Sequence, residues 1–227
     1  MSTLAAGRVV SVRTGRILPH ERPEWDEVRS DWRTAYWKQE RTGAVEVGAL
    51  GLDGDEQADT LHHGGPEMAV LMYAGEHYGH WRTHGGLEAM GPGGFGENLT
   101  LSGLLESTVC VGDVLAVGEA ELQVASPRGP CMDISRRWNA AWLLERVVAE
   151  RRTGWYLRVR RAGAVQAGDE VRIVERPHPG WTVDRLLRLR YLKPHVPHEL
   201  AEAAQLAAFA NHWRAQFARL AGHAGHA

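Results

Sequence analysis

Short apolar segments, separated by turns rich in glycine and aspartate, dominate the sequence, and few helix-forming stretches lie between them. These segments cover residues 7–16, 44–52, 68–73, 99–103, 108–118, 120–127 and 155–176. Many short strands at close spacing are typical of an antiparallel barrel, whereas a parallel sheet needs a helical crossover between its strands. The pattern therefore predicts a mainly β fold with some α-helix, in which the strands form a barrel-like domain.

Two internal segments are predicted to be helical, and a third has no clear period. Residues 76–85 indicate a short helix closed by two glycines, and residues 133–154 show apolar side chains at roughly helical spacing before a final glycine. Residues 19–38 mix charged side chains with tryptophan. We interpret this last stretch as an irregular or partly helical excursion.

A change in composition near residue 176 divides the chain. The sequence RPHPGW at 176–181 contains two prolines and a glycine, which is typical of a linker, and the residues beyond it are helix-forming. We predict a barrel domain at 1–176 and a small three-helix module at 177–227, which ends in a disordered tail with histidines. Thr182 is the expected N-cap of the first of these helices.

The composition argues against several classes of protein. The net charge is −2, which gives no sign of a nucleic-acid-binding protein, and no apolar run approaches the roughly 18 residues of a membrane-spanning helix. Arg8 interrupts the apolar stretch that an N-terminal signal peptide would need. We therefore expect a cytoplasmic protein with no membrane or nucleic-acid partner, whose two cysteines are free thiols.

These two cysteines have different sequence contexts. Cys110 lies in an apolar predicted strand, which is typical of a small buried side chain. Cys131 follows the loop SPRGP, in which prolines restrict the backbone and Arg128 precedes the thiol by three residues. A guanidinium close to a thiol favours the thiolate, which attacks electrophiles or binds soft metals. At this point a functional and a structural interpretation of Cys131 are both open.

The segment GLDGDEQADTLHHGGP, residues 51–66, concentrates acidic side chains and holds two adjacent histidines, His62 and His63. Adjacent residues of an extended segment point to opposite faces, so these histidines would not bind one metal ion together. The wider ligand spacing of a typical zinc site is also absent. The segment is therefore either a polar loop that holds a ligand or supplies protons, or a solvated turn.

The segment GGFGENLT, residues 93–100, has too many glycines for regular structure. It lacks the Gly-Lys-Ser/Thr ending of a phosphate-binding P-loop and the strand–helix context of a dinucleotide fingerprint. It is therefore either a tight turn that packs beside a ligand or a plain hairpin turn.

Together these motifs resemble, in order and wording, the MOSC family, the domain type at the C-terminus of molybdenum cofactor sulfurases, and in particular its stand-alone YiiM-like subgroup. The resemblance covers residues 51–81, 93–131 and the start of the helical module at 180–191. The sequence departs from the family pattern at Met68, where a lysine is expected, and this weakens any role for a cation at that position. Residues 19–38 have no counterpart in the pattern.

The resemblance implies a MOSC-type β-barrel that binds the molybdenum cofactor, molybdopterin, with Cys131 as the protein ligand to molybdenum. Arg128 is then expected to meet the phosphate or the pterin with its planar fork of donors. One of the two histidines is the candidate proton donor, so the implied catalytic residues are Cys131, His62 and His63. The other residues expected to bind the cofactor are Ser126, Asn98, Gln57 and Asp59.

The resemblance also implies that the protein reduces small N-hydroxylated compounds, such as hydroxylaminopurine-type base analogues, to amines. The sequence has no flavin, haem or iron–sulfur motif, so we expect a separate flavoprotein or iron–sulfur reductase to donate the electrons. Two alternatives stay open: a sulfur carrier with a persulfide on Cys131, and a non-catalytic carrier of the molybdenum cofactor. A homodimer is also open.

Overall fold

The computed structural model of the protein describes residues 6–28, 30–60 and 64–224. Its strands are β1 (Ala6–Thr14), β2 (Leu18–His20), β3 (Trp32–Thr34), β4 (Gln39–Glu40), β5 (Val45–Gly48), β6 (Gly51–Leu52), β7 (Val70–Ala74), β8 (Leu99–Ser102), β9 (Val114–Val117), β10 (Ala120–Pro127), β11 (Trp155–Arg161), β12 (Gly163–Val165) and β13 (Glu170–Glu175). Its α-helices are α1 (His77–Trp81), α2 (Asp133–Arg137), α3 (Leu143–Glu150), α4 (Val183–Tyr191), α5 (Pro197–Ala203) and α6 (Asn211–Ala224).

Seven strands close into a barrel, so the predicted mainly β fold with α-helices is confirmed. They pair in the order β13-β9-β10-β11-β7-β8-β1, and β1 returns to β13 with Ala6 opposite Arg172. Neighbours are antiparallel except β7 and β8, which run parallel because α1 and the glycine-rich loop lie between them. The longest contact, between β10 and β11, ends at Pro127, so the barrel positions the loop that carries Arg128 and Cys131.

Residues 19–38 are largely irregular, as predicted, but the described part of the segment, 19–28 and 30–38, contains no helix. It contains two short strands, since β2 and β3 pair antiparallel with His20 opposite Trp32. Alternate residues of β3 are buried, and the ring of His20 stacks on Trp37 with centroids 3.8 Å apart. Proline at 19 and 23 removes backbone donors that a helix would need, and the short alternation within β3 was hidden by the surrounding charges.

The predicted helix over 133–154 is wrong as one element, since it divides into α2 and α3. Asn139 between them has a left-handed backbone with φ of 47°, which no continuous helix accommodates. The second helix ends at Glu150, before Gly154 is reached, because its C-cap residue Arg151 is also left-handed with φ of 56°. The break matters for the cavity, because α2 lies immediately after Cys131.

The three C-terminal helices form as predicted and pack on the barrel. Thr182 is the N-cap of α4, and its side chain accepts a hydrogen bond from the backbone N–H of Arg185 at 3.1 Å. One apolar core runs from the barrel into these helices and includes Leu186 and Phe217. The division of the chain at residue 176 stays a prediction, and no described helix has the length and apolarity needed to span a bilayer.

Cys110 is buried, as its sequence context predicts, but it does not lie in a strand. It precedes β9 and forms an isolated bridge with Thr182 at the start of α4. Burial raises the pKa of its thiol, and nearby Asp113 raises it further. Cys110 therefore joins the barrel to the helices and is separate from the cavity described next.

Candidate functional site

A cavity of about 420 Å³ lies where five segments of the chain meet. Residues 32–38 form one wall of this cavity, and the loop and helix start after β10 form another. The three motifs that the sequence singles out are brought together here. The members of the predicted site that line it are Gln57, Asp59, Asn98, Arg128 and Cys131.

The other predicted residues have different positions. His62 and His63 lie outside the described residues, so their role stays a prediction. Ser126 is fully buried in β10 and is not among the residues that line the cavity, and its Oγ has no hydrogen-bond partner in the described part of the chain. Its proposed hydrogen bond to the cofactor also stays a prediction.

Asp55, in the acidic loop, is the centre of a hydrogen-bond network. Its two carboxylate oxygens accept from Lys38 Nζ at 2.5 Å and 2.7 Å. The backbone N–H of Gly15 donates to it at 2.7 Å, and the side-chain amides of Asn98 and Gln57 donate at 2.8 Å and 3.3 Å. The network fixes Lys38, Gln57 and Asn98 against the cavity with their charges and dipoles satisfied.

Asn98 has most of its amide engaged by the protein. Its Nδ2 also donates to the carbonyl of Arg13 at 3.3 Å, and its Oδ1 accepts from the backbone N–H of Leu71 at 3.1 Å. Both donor hydrogens are therefore used, and only a second lone pair of Oδ1 is available. The structure gives Asn98 a clear positioning role between β7 and Asp55, and its contact with pterin stays a prediction.

A buried carboxylate, which the sequence did not single out, shapes the glycine-rich loop. Glu97 is fully buried and accepts hydrogen bonds from the Tyr78 hydroxyl, from the backbone N–H groups of Gly93 and Phe95, and from the Thr100 hydroxyl. Four donors satisfy a charge that would otherwise be costly to bury. The segment is therefore a tightly folded loop whose Phe95 side faces the cavity.

Arg128 is only 2 % exposed and has few polar partners. Its Nη2 donates to the Tyr36 hydroxyl at 3.2 Å, and its Nη1 has no hydrogen-bond partner among the described residues. Within 6–28, 30–60 and 64–224, no carboxylate forms an ion pair with it. Burial lowers the pKa of Arg128, but Tyr36, Tyr156 and Cys131 raise it above its usual range, so the guanidinium stays charged.

Cys131 is half-buried in the same cavity. Burial raises the pKa of its thiol, and the charge of Arg128 lowers it without compensating. The expectation that Arg128 favours the thiolate is therefore right in direction but too strong, because burial outweighs the guanidinium. A thiolate at this position needs a further positive charge, such as a metal ion, to stabilise it.

Sequence reasoning missed Lys38, whose side chain is buried beside the cavity. The family pattern has a lysine at the position of Met68, and Met68 does line the cavity. In this chain, however, the lysine beside the cavity comes from the preceding segment. Burial lowers the pKa of Lys38, although Asp55 raises it. One signal was present: Lys38 is one of only two lysines in a sequence with 26 lysines and arginines.

Sequence reasoning also missed the aromatic wall. Tyr36 and Tyr156 flank Arg128, and burial raises the pKa of both phenols, so both remain protonated donors. Trp32 also lines the cavity, where its Nε1 donates to Asp133 at 3.1 Å and Arg136 lies 5.7 Å from its ring. The cavity thus combines aromatic faces with cations, which suits a planar anionic ligand.

Comparison with known proteins identifies the class. The model of the MOSC domain matches residues 59–172, which is half of the chain, and the chain belongs to this family. The model of the YiiM-like, 3-alpha helix domain matches residues 181–221, which contain α4 and α5 and most of α6. The MOSC domain family is associated with binding of the molybdenum cofactor.

Individual relatives place the chain close to YiiM-like proteins. It is 34% identical to the uncharacterized protein YflK of Bacillus subtilis over 81% of this chain and 83% of that protein. The crystal structure of YiiM from Geobacillus stearothermophilus superposes with a TM-score of 0.77 at 26% identity, covering 95% of this chain and 99% of that one. A protein named "Reductase" from Gibberella moniliformis is 34% identical over 88% of this chain, which spans only 35% of that longer protein.

The residues that line the cavity fit the cofactor that the family implies. An orphaned Nη1 on a buried guanidinium suits a phosphate or a pterin oxygen, and the Cys131 thiol in the same cavity suits a soft metal centre. The donors in the cavity therefore suit both the polar groups of the cofactor and its metal.

Proposed function

We propose that the protein is a molybdenum-cofactor-dependent reductase that converts small N-hydroxylated compounds to amines. The observation that carries the proposal is Arg128: a buried guanidinium without a paired carboxylate in the described chain, in one cavity with a thiol. A buried charge of this kind is costly unless a ligand compensates it. An anionic cofactor with a metal would compensate the guanidinium and stabilise the thiolate of Cys131 together.

Different residues of the cavity would bind different parts of the cofactor. Cys131 would bind the molybdenum, and Arg128 would bind the phosphate or the pterin. When bound, the cofactor supplies the two-electron reduction of the N–O bond. A separate flavoprotein or iron–sulfur reductase is the proposed source of those electrons.

Proton supply falls to the residues around Asp55. Lys38 holds a proton at Nζ next to the cavity, and because burial lowers its pKa, that proton is released more easily than from an exposed lysine. His62 and His63 are the other proposed donors. Asp55 and Asn98 act through Lys38 by fixing its position.

Metal analysis beside turnover tests the proposal. Protein from a host that makes the cofactor should hold stoichiometric molybdenum and reduce a hydroxylamino compound with an artificial electron donor. Cys131→Ser should lose both properties, whereas Cys110→Ser, at a buried thiol outside the cavity, should keep both. Molybdenum-loaded protein without turnover would contradict the reductase and favour a cofactor carrier. Protein without molybdenum but with a cyanide-labile sulfur on Cys131 would favour the sulfur carrier.

A further inference from the structure

A second group of potential metal ligands lies outside the cavity, between α1 and α3. His80 belongs to α1, His84 lies in the turn just after this helix, and Glu150 is the last residue of α3. One ligand atom from each lies within 4.8 Å of the others. The proposed reductase does not use any of these three side chains.

The orientation of His84 is set by its second nitrogen. Its Nδ1 lies 3.3 Å from the backbone carbonyl of His80, and this contact favours the tautomer with the proton on Nδ1. The lone pair is then on Nε2. A metal-binding histidine usually donates its other ring N–H to a carbonyl or carboxylate in this way, which fixes both tautomer and ring orientation.

His80 and Glu150 approach each other as two ligands of one ion would. Nε2 of His80 lies 2.7 Å from Oε2 of Glu150, yet this nitrogen has no hydrogen bond of acceptable geometry within the described chain. Zinc–nitrogen and zinc–oxygen bonds of about 2.1 Å place tetrahedral ligands roughly 3.4 Å apart. Small rotations of half-buried side chains are enough to reach that spacing.

Two arginines share the same carboxylate. Arg146 Nε lies 2.5 Å from Oε1 of Glu150, and Arg152 Nε lies 3.3 Å from Oε2, the oxygen that faces His80. Arg146 therefore orients the carboxylate from its far oxygen, whereas Arg152 competes with a cation for the near one. Arg152 is partly exposed and can turn towards solvent.

We propose that His80, His84 and Glu150 bind a divalent metal ion of the zinc type, with water in the remaining position. Two imidazoles and one carboxylate are a donor set that suits zinc and its substitute cobalt. The ion would tie α1 to α3. Trp81 of α1 lies in the aromatic cluster that supports Phe95 beside the cavity, with ring centroids 5.8 Å apart, so the ion would stabilise that wall.

Cobalt and zinc titrations of the full chain test this site. To remove competing thiol and tail ligands, the parent carries Cys131→Ser, His223→Ala and His226→Ala. We expect one cobalt ion with the visible spectrum of nitrogen and oxygen ligands, displaced by zinc, and a higher Tm with zinc present. His80→Gln, His84→Gln and Glu150→Gln should each weaken binding by at least about tenfold.

Arg152→Gln is expected to tighten metal binding rather than weaken it. Because a misfolded protein would lose binding, tighter binding cannot come from misfolding. Removing the competing cation should tighten cobalt binding by about threefold to tenfold, an effect that shrinks at high salt. His198→Gln, at a histidine of α5 outside the group, should leave binding unchanged. Unchanged cobalt binding in both His80→Gln and His84→Gln, or weaker binding in Arg152→Gln, would overturn the proposal. These readouts do not depend on molybdenum or turnover, so they fail separately from the proposed function.

Discussion

The cavity has two cationic sides that differ in how their charges are satisfied. Lys38 contacts both oxygens of Asp55, which in turn has three further donors, so this side is complete within the protein. Arg128 has one phenol, Tyr36, as a hydrogen-bond partner and an unpartnered Nη1 in the described chain. The difference separates a charge that is paired within the protein from a charge that the proposed cofactor would compensate.

The largest loss of stability is expected when Lys38 loses the carboxylate that pairs with it. Asp55→Asn leaves Lys38 buried without its anion and should lower the free energy of unfolding by about 3 kcal/mol. The loss is capped because burial already lowers the pKa of Lys38, which can give up its proton. Denaturant unfolding of the cofactor-free protein measures it.

Two variants sharpen this result. Lys38→Met combined with Asp55→Asn removes both charges and should recover much of the lost stability, since neither partner is then left uncompensated. Asp53→Asn, at an exposed carboxylate of the same loop, should change stability by less than about 0.5 kcal/mol. If Asp55→Asn and Asp53→Asn lowered the free energy of unfolding equally, the ion pair between Lys38 and Asp55 would have no special weight in stability.

The opposite side should respond in the opposite way. Arg128→Met removes an unpaired buried charge, so the unfolding free energy of the cofactor-free protein should fall by less than about 1 kcal/mol or rise. Cofactor retention should weaken by about 100-fold, because a charge-assisted contact is lost. Equilibrium retention of molybdenum during dialysis compares the proteins.

Arg33→Met is the matched control for that variant. Arg33 also lines the cavity but is exposed, so water already solvates its charge and its loss should cost much less retention. If Arg33→Met and Arg128→Met lose cofactor equally, burial of the guanidinium is not what matters. If Arg128→Met instead unfolds the protein, its charge serves the fold as that of Lys38 does.

The same difference between the two sides of the cavity explains which features could be predicted from the sequence. The barrel was predictable because its strands are short apolar segments between glycine turns, and Cys131 and Arg128 lie three residues apart in one loop. Lys38 was not predictable, because its contact with Asp55 depends on β4 pairing with β1 and on Gly15 binding the same carboxylate. The β2–β3 pairing was not predictable for a related reason, since it is stabilised by aromatic contacts that follow no sequence period.

A smaller effect should appear in the reactivity of Cys131. Burial raises the pKa of this thiol and Arg128 lowers it, so alkylation of the cofactor-free protein should develop only above the ordinary pH range of a cysteine. Arg128→Met should shift the profile to still higher pH, because the guanidinium that lowers the pKa of the thiol is removed. The measurement is the pH dependence of alkylation rate in a Cys110→Ala background. A shift to lower pH would show that Arg128 does not act on the thiol.

The smallest effect concerns how the wall of the cavity is attached. Asp26 accepts from Arg136 of α2 at 2.7 Å and from Arg22 at 2.6 Å, and these contacts lower its pKa to about 2. A carboxyl whose folded pKa is depressed stabilises the fold above its unfolded pKa of about 3.9, and that stabilisation is lost as pH falls towards the folded value. Asp26→Asn should therefore have a slightly lower Tm than the wild type at pH 6, and the difference should narrow between pH 4 and pH 2. A difference that does not change with pH would mean that Asp26 acts through packing, and the wall would then be attached mainly by Trp32 and Asp133.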